Sequence, residues 1–324
     1  MANSKYNKSL WIGILIVILL IPLVLWARRS YFDKELEFEF EKETFITEYD
    51  KYDLPYLKLY DKVFNYLTMY KHDIEEIILA SKKLKSLKTD GPLEILDAGT
   101  GVGKHYKYLT GMSKKVVGVD ISEKALHLAK LRNPTGNFIQ GNLEMAEMFK
   151  PNRFDIIVSL LDSMYHCSSK QSLELLISNY FFWLKPGGLC AIHIFKNNRL
   201  DPGPREFTQY YFDKKNRRHA LTYFDTFEHD ALWRNVDAEG DIYEYIEEYR
   251  LKNGKKMRKV HRLCLPKEKE ILGLFQKQGF ELFDIIPLKK VYVLDHDIYL
   301  FKKPMNVFKG TIVDRNNDFE KKVE

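Results

Sequence analysis

The run Ile95-Leu-Asp-Ala-Gly-Thr-Gly-Val-Gly103, followed by Val116-Val-Gly-Val-Asp-Ile121, constrains this chain more than any other stretch. Glu94 to Ala98 reads as a buried strand, the glycines as a turn, and the residues from about Lys104 as a helix. The second run reads as another buried strand, closed by Asp120. Strand, glycine-rich turn, helix and a carboxylate ending the next strand form the plan of a nucleotide-binding βαβ unit. Glycine lets the backbone turn where a Cβ would clash and lets a ligand approach it closely. The Asp120 carboxylate can accept hydrogen bonds from both hydroxyls of a ribose.

The spacing argues against a nicotinamide enzyme. Dinucleotide folds carry G-x-G-x-x-G, with a pyrophosphate over the helix N-terminus. Here the glycines are Gly99, Gly101 and Gly103, and Asp97 stands just before them. A carboxylate there repels a pyrophosphate but suits a cationic ligand or an amino group. In these residues the chain resembles the class I S-adenosylmethionine-dependent methyltransferases, whose first motif is a D/E-x-G-x-G-x-G run. The resemblance continues through Asp120, Gly141-Asn142-Leu143 after strand three, Phe154-Asp-Ile-Ile-Val-Ser159 as strand four, and Leu184-Lys-Pro-Gly-Gly-Leu-Cys-Ala-Ile-His193 as the turn into strand five. It covers roughly residues 90 to 195, with a return over 266–303. Asn142 departs from the family, which often has Asp at that position.

The resemblance implies an α/β fold: a Rossmann-like, mostly parallel sheet with a terminal antiparallel hairpin and helices on both faces. It implies S-adenosyl-L-methionine as cofactor, held by Asp97, Gly99, Thr100, Gly101, Gly103, Asp120, Ile121, Asn142, Leu143 and Leu160. No metal is expected. Cys167, Cys190 and Cys264 lie in apolar or strand-like contexts without a C-x-x-C pair, as buried reduced thiols do.

The N-terminus carries the second signal. Leu10 to Ala27 holds no charge over 18 residues and has Trp11 and Trp26 near its ends. At about 1.5 Å per residue a helix there spans about 27 Å, enough for a thin bilayer. A cleaved signal peptide is the alternative, but its apolar region is normally about 7–15 residues and ends in small residues, not Ala-Arg-Arg-Ser. A single-pass anchor is the reading adopted. Charge does not orient it, because Lys5 and Lys8 face Arg28, Arg29 and Lys34 across the span. A supply of cytosolic S-adenosylmethionine, implied by the resemblance alone, places the catalytic domain in the cytosol.

The expected organisation is a stub (1–9), the anchor (10–27), a linker (28–48), a helical lid (49–88), the cofactor-binding core (89–195), an antiparallel insertion covering the acceptor (196–265), the rest of the core (266–303) and a polar tail (304–324). Tyr52, Tyr56 and Tyr60 are lid candidates; packing a helix on the sheet is the plainer role for them. Asn253-Gly254 between two strand-like runs is a strong hairpin signal.

Methyl transfer from a sulfonium is an in-line displacement, so positioning and charge placement supply most of the acceleration. Candidate catalytic residues follow strand four, where ligands bind in open α/β sheets. Asp162 can orient an amine or hydroxyl, Tyr165 can line the pocket, and His166 can act as a base. Capping of a turn by Asp162 and a satisfied histidine at a helix start are the structural alternatives. Leu160-Leu-Asp-Ser-Met-Tyr is not the Asn/Asp-Pro-Pro-Tyr run of nucleic-acid amino-methyltransferases, and no Pro-Cys nucleophile is present. A ribose 2′-O Lys-Asp-Lys-Glu set matches only in Asp162 and Lys196. The basic runs 214–219 and 255–262 can serve RNA as an electrostatic track, or lie at solvated strand edges. The expected acceptor is a small-molecule or lipid-like compound within an aromatic enclosure. The alternatives are an RNA or protein methyltransferase, or a non-catalytic scaffold of the same fold.

Overall fold

A computed structural model describes residues 53–64, 67–84, 87, 91–195, 208–212, 218–236, 240–288 and 296–305. The expected anchor, stub and linker, together with Tyr52, Lys196, Phe207, residues 214–217 of the first basic run and the tail beyond 305, lie outside them. No helix among the described residues is long and apolar enough to cross a membrane.

The core is a seven-stranded sheet built from β1 (Glu94–Ala98), β2 (Lys115–Asp120), β3 (Asn137–Gln140), β4 (Phe154–Ser159), β5 (Leu184–Phe195), β11 (Glu281–Pro287) and β12 (His296–Lys302), in the order β11-β12-β5-β4-β1-β2-β3. The first five strands are mutually parallel; β12 runs antiparallel to both β5 and β11. This is the mixed sheet and terminal hairpin expected from the sequence. Residue parity sorts the two faces. Leu96, Ala98, Val117, Val119 and Ile157 pack with α5 (Lys170–Trp183) and α6 (Glu268–Lys277). Ile95, Val116, Ile156 and Val158 pack with α2 (Leu67–Ser81) through Ile74, Ile77 and Ala80, and with α3 (Tyr106–Met112) through Tyr106 and Leu109. Both faces are therefore covered, and every residue of β4 is buried, as a central parallel strand requires. Cys167, Cys190 and Cys264 are buried and free.

Helix ends follow local chemistry. Asp53 caps α1 (Leu54–Val63) by accepting from the Tyr56 amide, with Pro55 in the first turn. Ser122 caps α4 (Glu123–Arg132) and Ser169 caps α5 in the same way. α3 begins at Tyr106, two residues beyond Lys104, after a turn in which Gly103 has a φ of +73°.

A second, five-stranded antiparallel sheet follows β5 in the chain: β6 (Thr208–Phe212), β7 (Arg218–Tyr223), β8 (Phe227–Asn235), β9 (Ile242–Leu251) and β10 (Lys256–Cys264), ordered β10-β9-β8-β7-β6. Its β9–β10 turn is the expected Asn253-Gly254 hairpin: Gly254 has a φ of +86° and Asn253 Oδ1 accepts the Lys255 amide. α1 packs beside this sheet, with Tyr56, Leu57 and Val63 clustered with Phe227, Tyr249 and Met257 and with Val102 of the glycine turn.

Candidate active site

Strand order reverses between β1 and β4, the place where open α/β sheets bind ligands beyond the C-terminal ends of their strands. The glycine turn forms one side. Gly99 and Thr100 donate to the Val119 carbonyl at 2.9 and 2.8 Å, which folds the turn back over β2. Asp97 is buried and accepts from the Thr100 hydroxyl at 2.6 Å; burial raises its pKa above the ordinary carboxylate value. Asp120 accepts from the Gly101 amide at 2.8 Å through one oxygen and from the Ser122 amide at 2.9 Å through the other.

The three glycines differ in what they face. A Cβ at Gly99 would lie 2.5 Å from the Ser163 Cβ, and one at Gly103 would lie 3.0 Å from the Ala129 Cβ. At Gly101, with φ +52°, a Cβ would meet no heavy atom within 4 Å. The turn is thus packed at its two flanks and open at its centre. Ile121, after Asp120, is 45% exposed. Asn142 turns the chain beyond β3, its side-chain Oδ1 accepting the Glu144 amide at 2.9 Å, and Leu143 beside it is half-buried. Leu160 is buried in the core face carrying Val158.

The loop after β4 forms the other side. Ser163 Oγ donates to the Gly99 carbonyl at 3.0 Å and so ties the two loops together. Asp162 Oδ2 lies 3.2 Å from His166 Nε2, one turn along a short 3₁₀ segment, and both side chains are partly exposed. Burial raises the Asp162 pKa, but the His166 hydrogen bond and the nearby His166 and His261 imidazoles outweigh it and hold the carboxyl below its usual range. Tyr165 has a different place from the one expected. It is fully buried, its hydroxyl accepts the Phe195 amide at 3.1 Å, and burial pushes its pKa up, so it braces β5 rather than lining an open pocket.

The insertion closes over this loop. His261 of β10 packs its ring at a steep angle on His166, with centroids 6.0 Å apart. Behind it lies a buried hub on Glu247 of β9. Its carboxylate accepts from Tyr56 at 2.8 Å, His261 at 2.9 Å, His229 at 2.8 Å and Tyr249 at 2.8 Å. Burial alone would raise the Glu247 pKa, but the His229 and His261 hydrogen bonds overcome it and keep the carboxyl ionised. Trp233 and Tyr245 stack at 4.5 Å on the same sheet. At its other end α1 is pinned to the glycine turn: Lys104 Nζ binds the Phe64 carbonyl at 2.8 Å and Asp61 Oδ1 at 2.9 Å, and Arg132 takes the second Asp61 oxygen at 2.8 Å. Tyr56 and Tyr60 therefore belong to a helix that bridges insertion and cofactor loop.

A methyltransferase-domain family model matches residues 95–188. Over 123 residues the chain is 27% identical to the 18S rRNA (guanine-N(7))-methyltransferase of Bos taurus, covering 36% of this chain and 44% of that protein. Over 199 residues it is 28% identical to phosphoethanolamine N-methyltransferase 3 of Arabidopsis thaliana, covering 60% of this chain and 37% of that one. The chain thus spans less than half the length of either relative. The fold is similar to that of the sugar N-methyltransferase KedS8 from Streptoalloteichus, with a TM-score of 0.57 at 15% identity, covering 81% of this chain and 98% of the other. Motif, strand order and family model agree: the described core is a class I S-adenosylmethionine-dependent methyltransferase domain. The residues fit that cofactor, since the open turn at Gly101 leaves room that a Cβ would fill and Asp120 stands beside it.

Proposed function

We propose that this domain methylates an amine nitrogen of a small-molecule or lipid-like acceptor, and that residues 10–27 hold it at a membrane with the domain in the cytosol. The observation that carries the chemistry is the Asp162–His166 pair, on a loop bonded to the glycine turn through Ser163 and Gly99. S-adenosylmethionine, when bound, supplies an electrophilic methyl carbon on a sulfonium. Asp97, the glycine turn and Asp120 would hold it, with Ile121, Asn142, Leu143 and Leu160 as the further contacts that the family resemblance implies.

An alkyl amine reaches such a site mostly as an ammonium ion, which has no lone pair to attack with. His166 can take that proton as a base, and Asp162, hydrogen-bonded to it, stabilises the resulting imidazolium. The freed amine lone pair then forms the N–C bond in line with the breaking C–S bond. The Asp162 carboxylate also favours a cationic acceptor over an anionic one. Two of the similar proteins are named for N-methyl transfer to phosphoethanolamine and to a sugar, which agrees with this choice.

An RNA track along β10 has less support. Arg258, Lys259 and Arg262 are registered opposite Glu248, Glu247 and Glu244 of β9, and Lys259 is buried against Asp53. Lys259 is thereby withdrawn from any exposed track, while Glu244 and Glu248 pair with Arg234 and Arg250 rather than with the run. Incubation of the full chain with methyl-labelled S-adenosylmethionine and matched amine, hydroxyl and RNA acceptors tests the reading: label in the amines supports it, and label confined to RNA or hydroxyls overturns it.

A further inference from the structure

Leu161 is a non-glycine residue with a positive φ, +56°, at the junction between β4 and Asp162. A γ-branched residue pays a strain cost in the left-handed region, so something must hold it there. Its amide donates to Nδ1 of His193 at 2.6 Å. His193 lies on β5, is fully buried, and packs at a tilt against His296 of β12 with ring centroids 4.6 Å apart.

That bond fixes the imidazole's chemistry. A nitrogen that accepts carries no proton, so Nδ1 is bare and the ring proton sits on Nε2. Nε2 points to Oδ2 of Asp73 on α2, at 3.5 Å; the same oxygen lies 3.6 Å from Nε2 of His105, which follows the glycine turn. Burial first, then His296 and His105, hold the His193 pKa well below the ordinary histidine range, so the ring is neutral and able to accept. One buried carboxylate thus stands between an imidazole at the cofactor loop and an imidazole at the acceptor loop.

We propose that His193 is a positioning residue for methyl transfer: its Nδ1 holds the left-handed Leu161 that sets Asp162 and His166. The proposal rests on the acceptor-side role given above to Asp162 and His166. It requires an acceptor at the δ position of residue 193 and nothing more from the ring. Asn carries an oxygen at that position; Gln carries its amide one bond further out.

The test compares His193→Asn with His193→Gln in the full chain, by turnover, cofactor calorimetry and amide hydrogen exchange. Losing one hydrogen bond to a strained loop should lower kcat about tenfold in the Gln variant, with cofactor Kd within about twofold. The Asn variant should keep kcat within about threefold of wild type. The Leu161 amide should stay protected in wild type and His193→Asn and exchange faster in His193→Gln. Equal losses in both variants, or protection of Leu161 unchanged by His193→Gln, would overturn the proposal. If His193→Gln does not fold, His193→Asn decides: retained kcat and protection support the proposal, and lost protection refutes it. Leu161 exchange is read without turnover, so a wild-type protein that methylates no amine would defeat the functional reading alone.

Discussion

The carboxylate of Asp120 accepts a hydrogen bond from the Gly101 amide at 2.8 Å, so the residue that closes β2 also shapes the turn that follows β1. Asp120→Ala should therefore weaken cofactor binding by about 1–3 kcal/mol, combining lost ribose hydrogen bonds with a loosened turn. Calorimetry with S-adenosylmethionine and its demethylated product measures it.

Gly101 and Gly99 should respond differently to substitution. Gly101→Val places its side chain in open space, so the fold should survive and cofactor binding should be lost; the φ of +52° adds strain of about 1–3 kcal/mol. Gly99→Ala meets Ser163 instead and should lower the melting temperature and disturb the acceptor loop. Unchanged cofactor affinity in Gly101→Val would remove the turn from the site.

Much of this was legible in the chain because its signals are local. The glycine turn, Asp120 and the Asn253-Gly254 hairpin each depend on a few neighbouring residues. Asp162 and His166 were visible as an i, i+4 pair after strand four. What escaped is long-range: Tyr56 reaches Glu247 across 191 residues of sequence and His261 across 205. No local pattern announces that Glu247 would gather two histidines and the tyrosines Tyr56, Tyr245 and Tyr249, nor that Leu161 would adopt a left-handed conformation under His193. Tyr165 was misplaced for a related reason. Its position in the loop suggested a pocket wall, but the 3₁₀ turn points it beneath β5, where its hydroxyl meets the Phe195 amide.

Asp162→Asn and His166→Ala should each cut turnover about tenfold or more while leaving cofactor Kd within about twofold, since both act on the acceptor side. Steady-state kinetics beside calorimetry separates the two effects. A matched loss of cofactor affinity would place the pair on the wrong ligand.

Stability should fall in two stages with acid. His193 has a folded pKa below its ordinary value of 6.5, so its contribution is complete above about pH 6.5 and declines below it, by about 1.4 kcal/mol per unit, as the unfolded chain takes up the proton. Glu247 has a folded pKa below its ordinary value of 4.5, so its contribution persists to about pH 4.5 and is lost below it. Denaturant titrations across this range check both slopes, and His193→Asn should remove the first.

The apolar run Leu10 to Ala27 should make the full chain resist carbonate extraction from membranes, and deletion of residues 1–29 should release it. In sealed vesicles the domain should be open to protease from the cytosolic side. A mature protein beginning near Ser30 would show a cleaved signal instead.

The most direct test of the account is mass spectrometry of small amine acceptors after incubation with the full chain and S-adenosylmethionine. The account predicts methyl groups on nitrogen, formed by wild type and strongly reduced in Asp162→Asn. Methylation confined to RNA, with tight and salt-sensitive RNA binding, would contradict it.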